Sequence, residues 1–130
     1  MVTNGFLVDT DIIIRHLRGR QGSEIATKLI TENLDEIKIS VITVSELYAG
    51  VKGIAEETQL NKFLDVFEEL PVDLEIAAKA GYFKNKWYSS HGSGLADCLI
   101  AATADHHKLT LVTGNFKHFP MLEDKLKVDE

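Results

Sequence analysis

The stretch Phe6-Leu7-Val8-Asp9-Thr10-Asp11-Ile12-Ile13-Ile14-Arg15-His16-Leu17-Arg18-Gly19 changes character at its fourth residue. Phe6 to Val8 is a short, continuously apolar run. That pattern suits a strand covered on both faces, as parallel sheets require. Asp9 ends the run, and Ile12 to Arg18 read as a helix that starts at the strand's end and is stopped by Gly19.

The same alternation continues outward. Residues 22–34 read as a helix with Ile25, Leu29 and Ile30 on one face and Ser23 available as a cap. Residues 37–41 alternate and read as a strand. Thr43-Val44-Ser45-Glu46 matches a capping box and predicts a helix through about Val51. Residues 55–69 form an amphipathic helix with Leu60, Phe63, Leu64 and Phe67 on one side, and Leu70-Pro71-Val72 reads as a short edge strand. Residues 74–88 are helical, 89–94 a loop, and Leu95 to His107 an alanine-rich helix. Leu109 to Thr113 and Leu126 to Val128 complete the strands. Strands alternating with helices predict an α/β fold with a mostly parallel sheet.

Composition narrows the function classes. The chain has 130 residues, which predicts a single domain over 1–130. Fourteen basic and twenty acidic residues give a net charge of −6, which argues against a broad nucleic-acid-coating face. Cys98 is the only cysteine, so an internal disulfide and a cysteine zinc site are excluded, and a reducing cytoplasm fits. No stretch approaches the roughly 18 apolar residues of a membrane span. Met1 to Gly5 show neither the basic region nor the apolar core of a signal. No linker, low-complexity run or internal repeat is visible.

In parallel sheets, ligands sit outside the carboxyl ends of the strands. Asp9 lies at one such end, and Thr113, Gly114 and Asn115 at another. Glu46 and Asp97 fall in the first turns of predicted helices, so all are expected to converge on one rim. Asp9, Glu46 and Asp97 are hard oxygen donors of the kind Mg²⁺ or Mn²⁺ prefers. Gathered carboxylates repel one another, and a cation relieves that repulsion. Such an ion can activate water and stabilise charge on a phosphate. Each acid also has a plainer reading. Asp9 can cap the helix after it, Glu46 can complete a capping box, and Asp97 can favour its helix dipole by about 0.3–1 kcal/mol. The shared rim and the apolar settings Leu-Val-Asp, Val-Ser-Glu-Leu and Leu-Ala-Asp-Cys-Leu-Ile-Ala-Ala favour the site reading.

Four segments carry a family resemblance: Phe6 to Asp11 with Ile12 to Leu17, Ser45-Glu46-Leu47-Tyr48-Ala49-Gly50, Leu95-Ala96-Asp97 with Leu99 to Ala104, and Thr113-Gly114-Asn115-Phe116-Lys117-His118-Phe119. In order, spacing and flanking residues they resemble a PIN-domain ribonuclease, and most of all the VapC-type toxins of toxin–antitoxin pairs. The resemblance covers nearly the whole chain. It implies a three-layer α/β/α fold, Mg²⁺- or Mn²⁺-dependent endonuclease action on RNA, a homodimer, and inhibition by a cognate VapB-type antitoxin. It also implies that Asp9, Glu46 and Asp97 are the metal ligands; in a mechanism built on them, Thr113 and Asn115 are expected to position water or phosphate. Members often carry a further acid in the segment matching 113–119. Here that segment offers Asn115 and His118 instead, which puts a tightly held second metal in question.

Arg15, Arg18 and Arg20 follow the Asp9 turn, with His16 among them and no acid expected nearby. They suit steering of RNA phosphate, or equally a solvated helix face. Residues 56–75 hold seven acids and one lysine, a solvated surface that could also receive a basic antitoxin arm. Phe83, Trp87 and Tyr88 read as core or dimer contact rather than a base-stacking platform. His106 and His107 favour a helix dipole, and Cys98 reads as a small buried hydrophobe. Asp11 and Asp105 lack apolar framing and read as outside the ligand set. Two rival functions exist. Val8-Asp9-Thr10-Asp11 matches the nucleophile motif of haloacid-dehalogenase-type phosphohydrolases, although Ile12 stands where that motif has glycine. A non-catalytic docking module of the same fold is the other.

Overall fold

The structure is a computed structural model describing residues 4–19 and 23–128. Arg20 and the expected helix start at residue 22 lie outside them. Strand β1 (Phe6–Val8) feeds helix α1 (Thr10–Arg18) through Asp9, and Gly19 closes α1 at φ 60° in the left-handed region. Then come α2 (Glu24–Glu32), β2 (Ile37–Ser40), α3 (Val41–Ala49), α4 (Gly53–Leu64) and β3 (Glu68–Leu70). They are followed by α5 (Leu74–His91), α6 (Leu95–His107), β4 (Thr110–Thr113) and β5 (Lys125–Lys127).

The five strands form one parallel sheet in the order β3-β2-β1-β4-β5. β1 is central because both its neighbours arrive by crossovers, and its apolar run serves two faces at once. Val8, with Val112 of β4, packs against Ile12 and Ile13 of α1, Ala26 and Ile30 of α2, Leu47 of α3 and Leu60 of α4. Leu7, with Leu111, packs against Ile100, Ala101 and Ala104 of α6 and against Phe119 and Leu122. A third cluster, Ile76, Ala80, Cys98 and Ala102, joins α5 to α6. This is the expected three-layer α/β/α arrangement. The small residues on α6 let it lie close to both the sheet and α5, and Cys98 is fully buried among them.

Several elements differ from the sequence reading in detail. Ile25 is exposed, and Ala26 with Ile30 forms the buried face of α2; Ser23 precedes that helix without making a side-chain cap. α3 starts three residues earlier than the Thr43 box implies. Ser40, the last residue of β2, is its N-cap, accepting a hydrogen bond from the Ile42 N–H at 3.0 Å. α4 ends at Leu64, so Phe67 belongs to the turn before β3, and the edge strand sits two residues earlier than expected. α5 runs on to His91, where Gly92 caps it at φ 67°.

Candidate active site

β1 and β4 are parallel neighbours, so their carboxyl ends deliver Asp9 and Thr113 to the same point. Asp9 is only 6% exposed. Its Oδ1 accepts the Thr10 N–H at 2.8 Å, and its Oδ2 accepts the Thr113 hydroxyl at 2.7 Å. Asp9 therefore caps α1 and is at the same time a buried acid where β1 and β4 end. Its pKa is raised from 3.8 to about 7. Burial is the main cause and the neighbouring Asp11 charge the next. The Thr113 and Thr10 hydrogen bonds oppose the rise, and Asp97 adds to it.

Asp11 was expected to stand apart, yet the first turn of α1 sets it beside Asp9. Its Oδ2 accepts the Gly114 N–H at 3.1 Å, and among the described residues its buried Oδ1 has no hydrogen-bond partner. Arg15 lies one turn further on, its guanidinium 3.9 Å from Asp11 and donating to the Val128 carbonyl at 3.0 Å. The expectation that no acid neighbours the arginines is thus corrected, because residues four apart share a helix face. Gly114 is what lets these groups close up: a Cβ there would come within 2.7 Å of both Arg15 and Asp11.

Asp97 reaches the rim by a route the strand-to-helix rule did not foresee. α6 follows another helix, not a strand. Lys79 pairs with Asp105 at 2.6 Å, and Glu75 lies 3.9 Å from His106, so α5 and α6 run antiparallel. The end of α5 therefore turns beside the start of α6, where Asp97 sits in the first turn. Asp97 accepts the Gly94 N–H at 3.3 Å and stands 3.4 Å from His118 Nδ1.

Glu46 lies in the second turn of α3, because that helix starts at Val41, and so has no capping role. It is exposed, and its Oε1 accepts the Thr10 hydroxyl at 2.5 Å; that hydroxyl is also 3.1 Å from Thr43 Oγ1. Asn115 is exposed just past β4, its N–H donating to Thr113 Oγ1 at 3.0 Å. Arg18 is exposed and, with Glu46, borders a groove of about 450 Å³ between α1, α3 and α4. Ile14, Leu17 and Leu60 supply its apolar lining.

Among the described residues, no three acidic, histidine or cysteine side chains close on a single point as cation ligands. Glu46 is turned onto Thr10 instead. The donor set still fits a divalent cation in its chemistry. Asp9 is a buried carboxyl whose pKa is raised chiefly by burial and further by the charges of Asp11 and Asp97, and among the described residues a buried Asp11 oxygen has no hydrogen-bond partner. Sequence reasoning missed Thr10 and set Asp11 outside the ligand set. Both fall in the turn opened by Asp9, and that proximity was the available signal.

The sheet order, the two covering layers and the acid at the end of β1 define a class that comparison identifies: the chain belongs to the PIN domain family, which it matches over residues 6–120. It is 40% identical over 119 residues to ribonuclease VapC10 of Mycobacterium tuberculosis, covering 90% of this chain and 87% of that one. It is 32% identical over 119 residues to the toxin FitB of Neisseria gonorrhoeae, covering 82% and 85%. Among solved structures, a toxin–antitoxin complex from Klebsiella pneumoniae matches with a TM-score of 0.81 at 27% identity, over 97% of this chain and 99% of that one.

Proposed function

We propose that this protein is a divalent-metal-dependent endoribonuclease acting as the toxin of a toxin–antitoxin pair. The observation that carries the reading is the buried Asp9 carboxylate, flanked by Asp11 and Asp97 at the carboxyl ends of the central strands. The ribonuclease and toxin relatives supply the substrate class and the setting.

In this reading Asp9, Glu46 and Asp97 would hold Mg²⁺ or Mn²⁺, with Asp11 beside them, and the bound cation would supply an activated water and charge neutralisation at the scissile phosphate. The rest falls to the chain itself. Thr113 fixes the Asp9 carboxylate through its hydroxyl, and its Oγ1 also accepts the Asn115 N–H, setting Asn115 at the solvent edge where phosphate enters. Arg15 is engaged with Asp11 and the Val128 carbonyl, so it supports the acid cluster, while exposed Arg18 faces incoming RNA. A VapB-type antitoxin would inhibit by lying in the groove that borders Glu46. The remaining expectations, a homodimer and a cytoplasmic setting, stand with this proposal; no helix among the described residues is long and apolar enough to cross a membrane.

The test is cleavage of structured and unstructured RNAs by purified protein with Mg²⁺, Mn²⁺ or EDTA, beside Asp9→Asn. Cleavage should need the cation and fall by about a thousandfold or more in the variant, as expected when a charged ligand is lost from a metal-assisted reaction. Equal turnover by the two proteins would reject the assignment. A variant that has lost cation binding but cuts normally would reject the metal's role.

A further inference from the structure

His118 stands in the segment where the family resemblance leads one to expect an acid, and the fold holds it with care. Its short 3-10 turn, Phe116–His118, is tied down on either side. Ser93, fully buried, donates its hydroxyl to the His118 carbonyl at 2.7 Å. The next residue, Phe119, is fully buried in the core, and its carbonyl accepts Lys125 Nζ at 2.7 Å. The imidazole is therefore delivered to Asp97 from a fixed backbone.

The distance between the two side chains is informative. His118 Nδ1 lies 3.4 Å from Asp97 Oδ2, and both side chains are about three-tenths exposed, at 30% and 28%. An N–H to oxygen hydrogen bond prefers about 2.7–3.2 Å, so the pair is too far apart for a good one. Two ligands bound to one first-row cation at about 2.0–2.2 Å each stand roughly 3.0–3.5 Å apart. Among the described residues, Asp97 Oδ2 has one further hydrogen-bond neighbour, the Gly94 N–H at a long 3.3 Å, which leaves it lone-pair capacity.

We propose that His118 Nδ1 is a direct ligand of the catalytic cation beside Asp97, and that it tunes the site to favour Mn²⁺ over Mg²⁺. Imidazole nitrogen suits the later first-row cations, whereas Mg²⁺ takes oxygen ligands almost alone. The substitution of nitrogen for a carboxylate oxygen also lowers the negative charge at a rim already crowded with Asp9, Asp11 and Asp97. This inference rests on the metal-dependent reading and goes beyond it by naming a ligand and a preference.

The experiment uses the full chain, freed of metal with EDTA, and reads binding rather than cleavage. Mn²⁺ and Mg²⁺ are titrated calorimetrically into the wild type, His118→Asn, His118→Asp and Asp9→Asn. Pulsed paramagnetic resonance on the Mn²⁺-loaded wild type and His118→Asn detects any directly coordinated nitrogen. Nitrogen coupling is expected in the wild type and should vanish in His118→Asn. That variant should lose about tenfold or more in Mn²⁺ affinity, with Mg²⁺ affinity nearly unchanged. His118→Asp should reverse the preference. Absence of nitrogen coupling in the wild type overturns the proposal without needing any variant to fold. So does coupling that persists in His118→Asn, or equal weakening of both cations. If Asp9→Asn binds cations as the wild type does, the metal-dependent reading itself falls.

Discussion

Asp9 is pulled in opposite directions by its surroundings, and the balance sets a pH dependence. Burial and the Asp11 charge raise its pKa to about 7, against the help of Thr113 and the Thr10 amide. Below about pH 4 the carboxyl is protonated in both folded and unfolded chains. Between about 4 and 7 the unfolded chain loses the proton while the folded one keeps it, so stability falls as pH rises; above about 7 the loss levels off. In metal-free buffer, the stability of the wild type relative to Asp9→Asn should therefore drop between pH 4 and 7, by an amount on the order of 4 kcal/mol. Urea unfolding of both proteins across that range measures it, and saturating Mn²⁺ should flatten the slope by stabilising the ionised carboxylate. The identity of Asp9 as the central acid was legible in the sequence, because a buried strand that stops at a carboxylate marks a sheet edge. The role of Asp11 was not, because framing by apolar neighbours is a poor guide to a side chain whose partners come from another strand. Gly114 on β4's trailing loop gives Asp11 its amide, and nothing local to Asp11 announces it.

The elements were read more accurately than their ends. α3 shows why. Thr43-Val44-Ser45-Glu46 has the composition of a capping box, but β2 passes into the helix with no spacer, and Ser40 at the strand's last position takes the cap. Thr43 is then buried inside the helix, its hydroxyl beside Thr10. Ser40→Ala should cost about 1 kcal/mol, the usual value of a lost N-cap, whereas Ser45→Ala, at an exposed position, should change stability by less than about 0.5 kcal/mol. Chemical denaturation of the two variants distinguishes the observed start from the one the sequence pattern suggests. The one-turn difference also bears on function. It moves Glu46 out of the capping position and leaves its carboxylate for the rim. On α2 the error was of another kind: Ile25 and Ile30 cannot both face the core of a nine-residue helix when Ala26 takes the inner position. Periodicity identifies a helix, but only the packed sheet says which stripe points inward.

At the scale of the whole molecule, backbone close approaches lock the central strand between its neighbours. Gly5 enters β1 at φ 118°, and a Cβ there would meet the Glu36 carbonyl oxygen at 2.6 Å, a contact with backbone that cannot swing away. Its own carbonyl accepts the Thr110 N–H at 3.0 Å, so the same residue registers β1 against β4. Gly5→Ala should destabilise the fold by about 1–3 kcal/mol through strain at this junction. The prediction is checked by urea unfolding with the slope unchanged, since the surface exposed on unfolding stays the same. The α5–α6 hairpin is the other global device. It carries Asp97 to the rim from a helix pair rather than from a strand, across more than eighty residues of chain from Asp9.

The sequence by itself determined the class of fold, the order of its elements and the acids at Asp9, Glu46 and Asp97 as a candidate set. Those follow from hydrophobic period, strand-ending carboxylates and motif spacing, all of which are local. Only the tertiary structure decided that β1 is central, that Asp11 takes the Gly114 amide beside Asp9, and that His118 stands beside Asp97. Each of these depends on contacts between segments distant in the chain, and a local pattern carries no information about which distant partner a buried polar atom will meet.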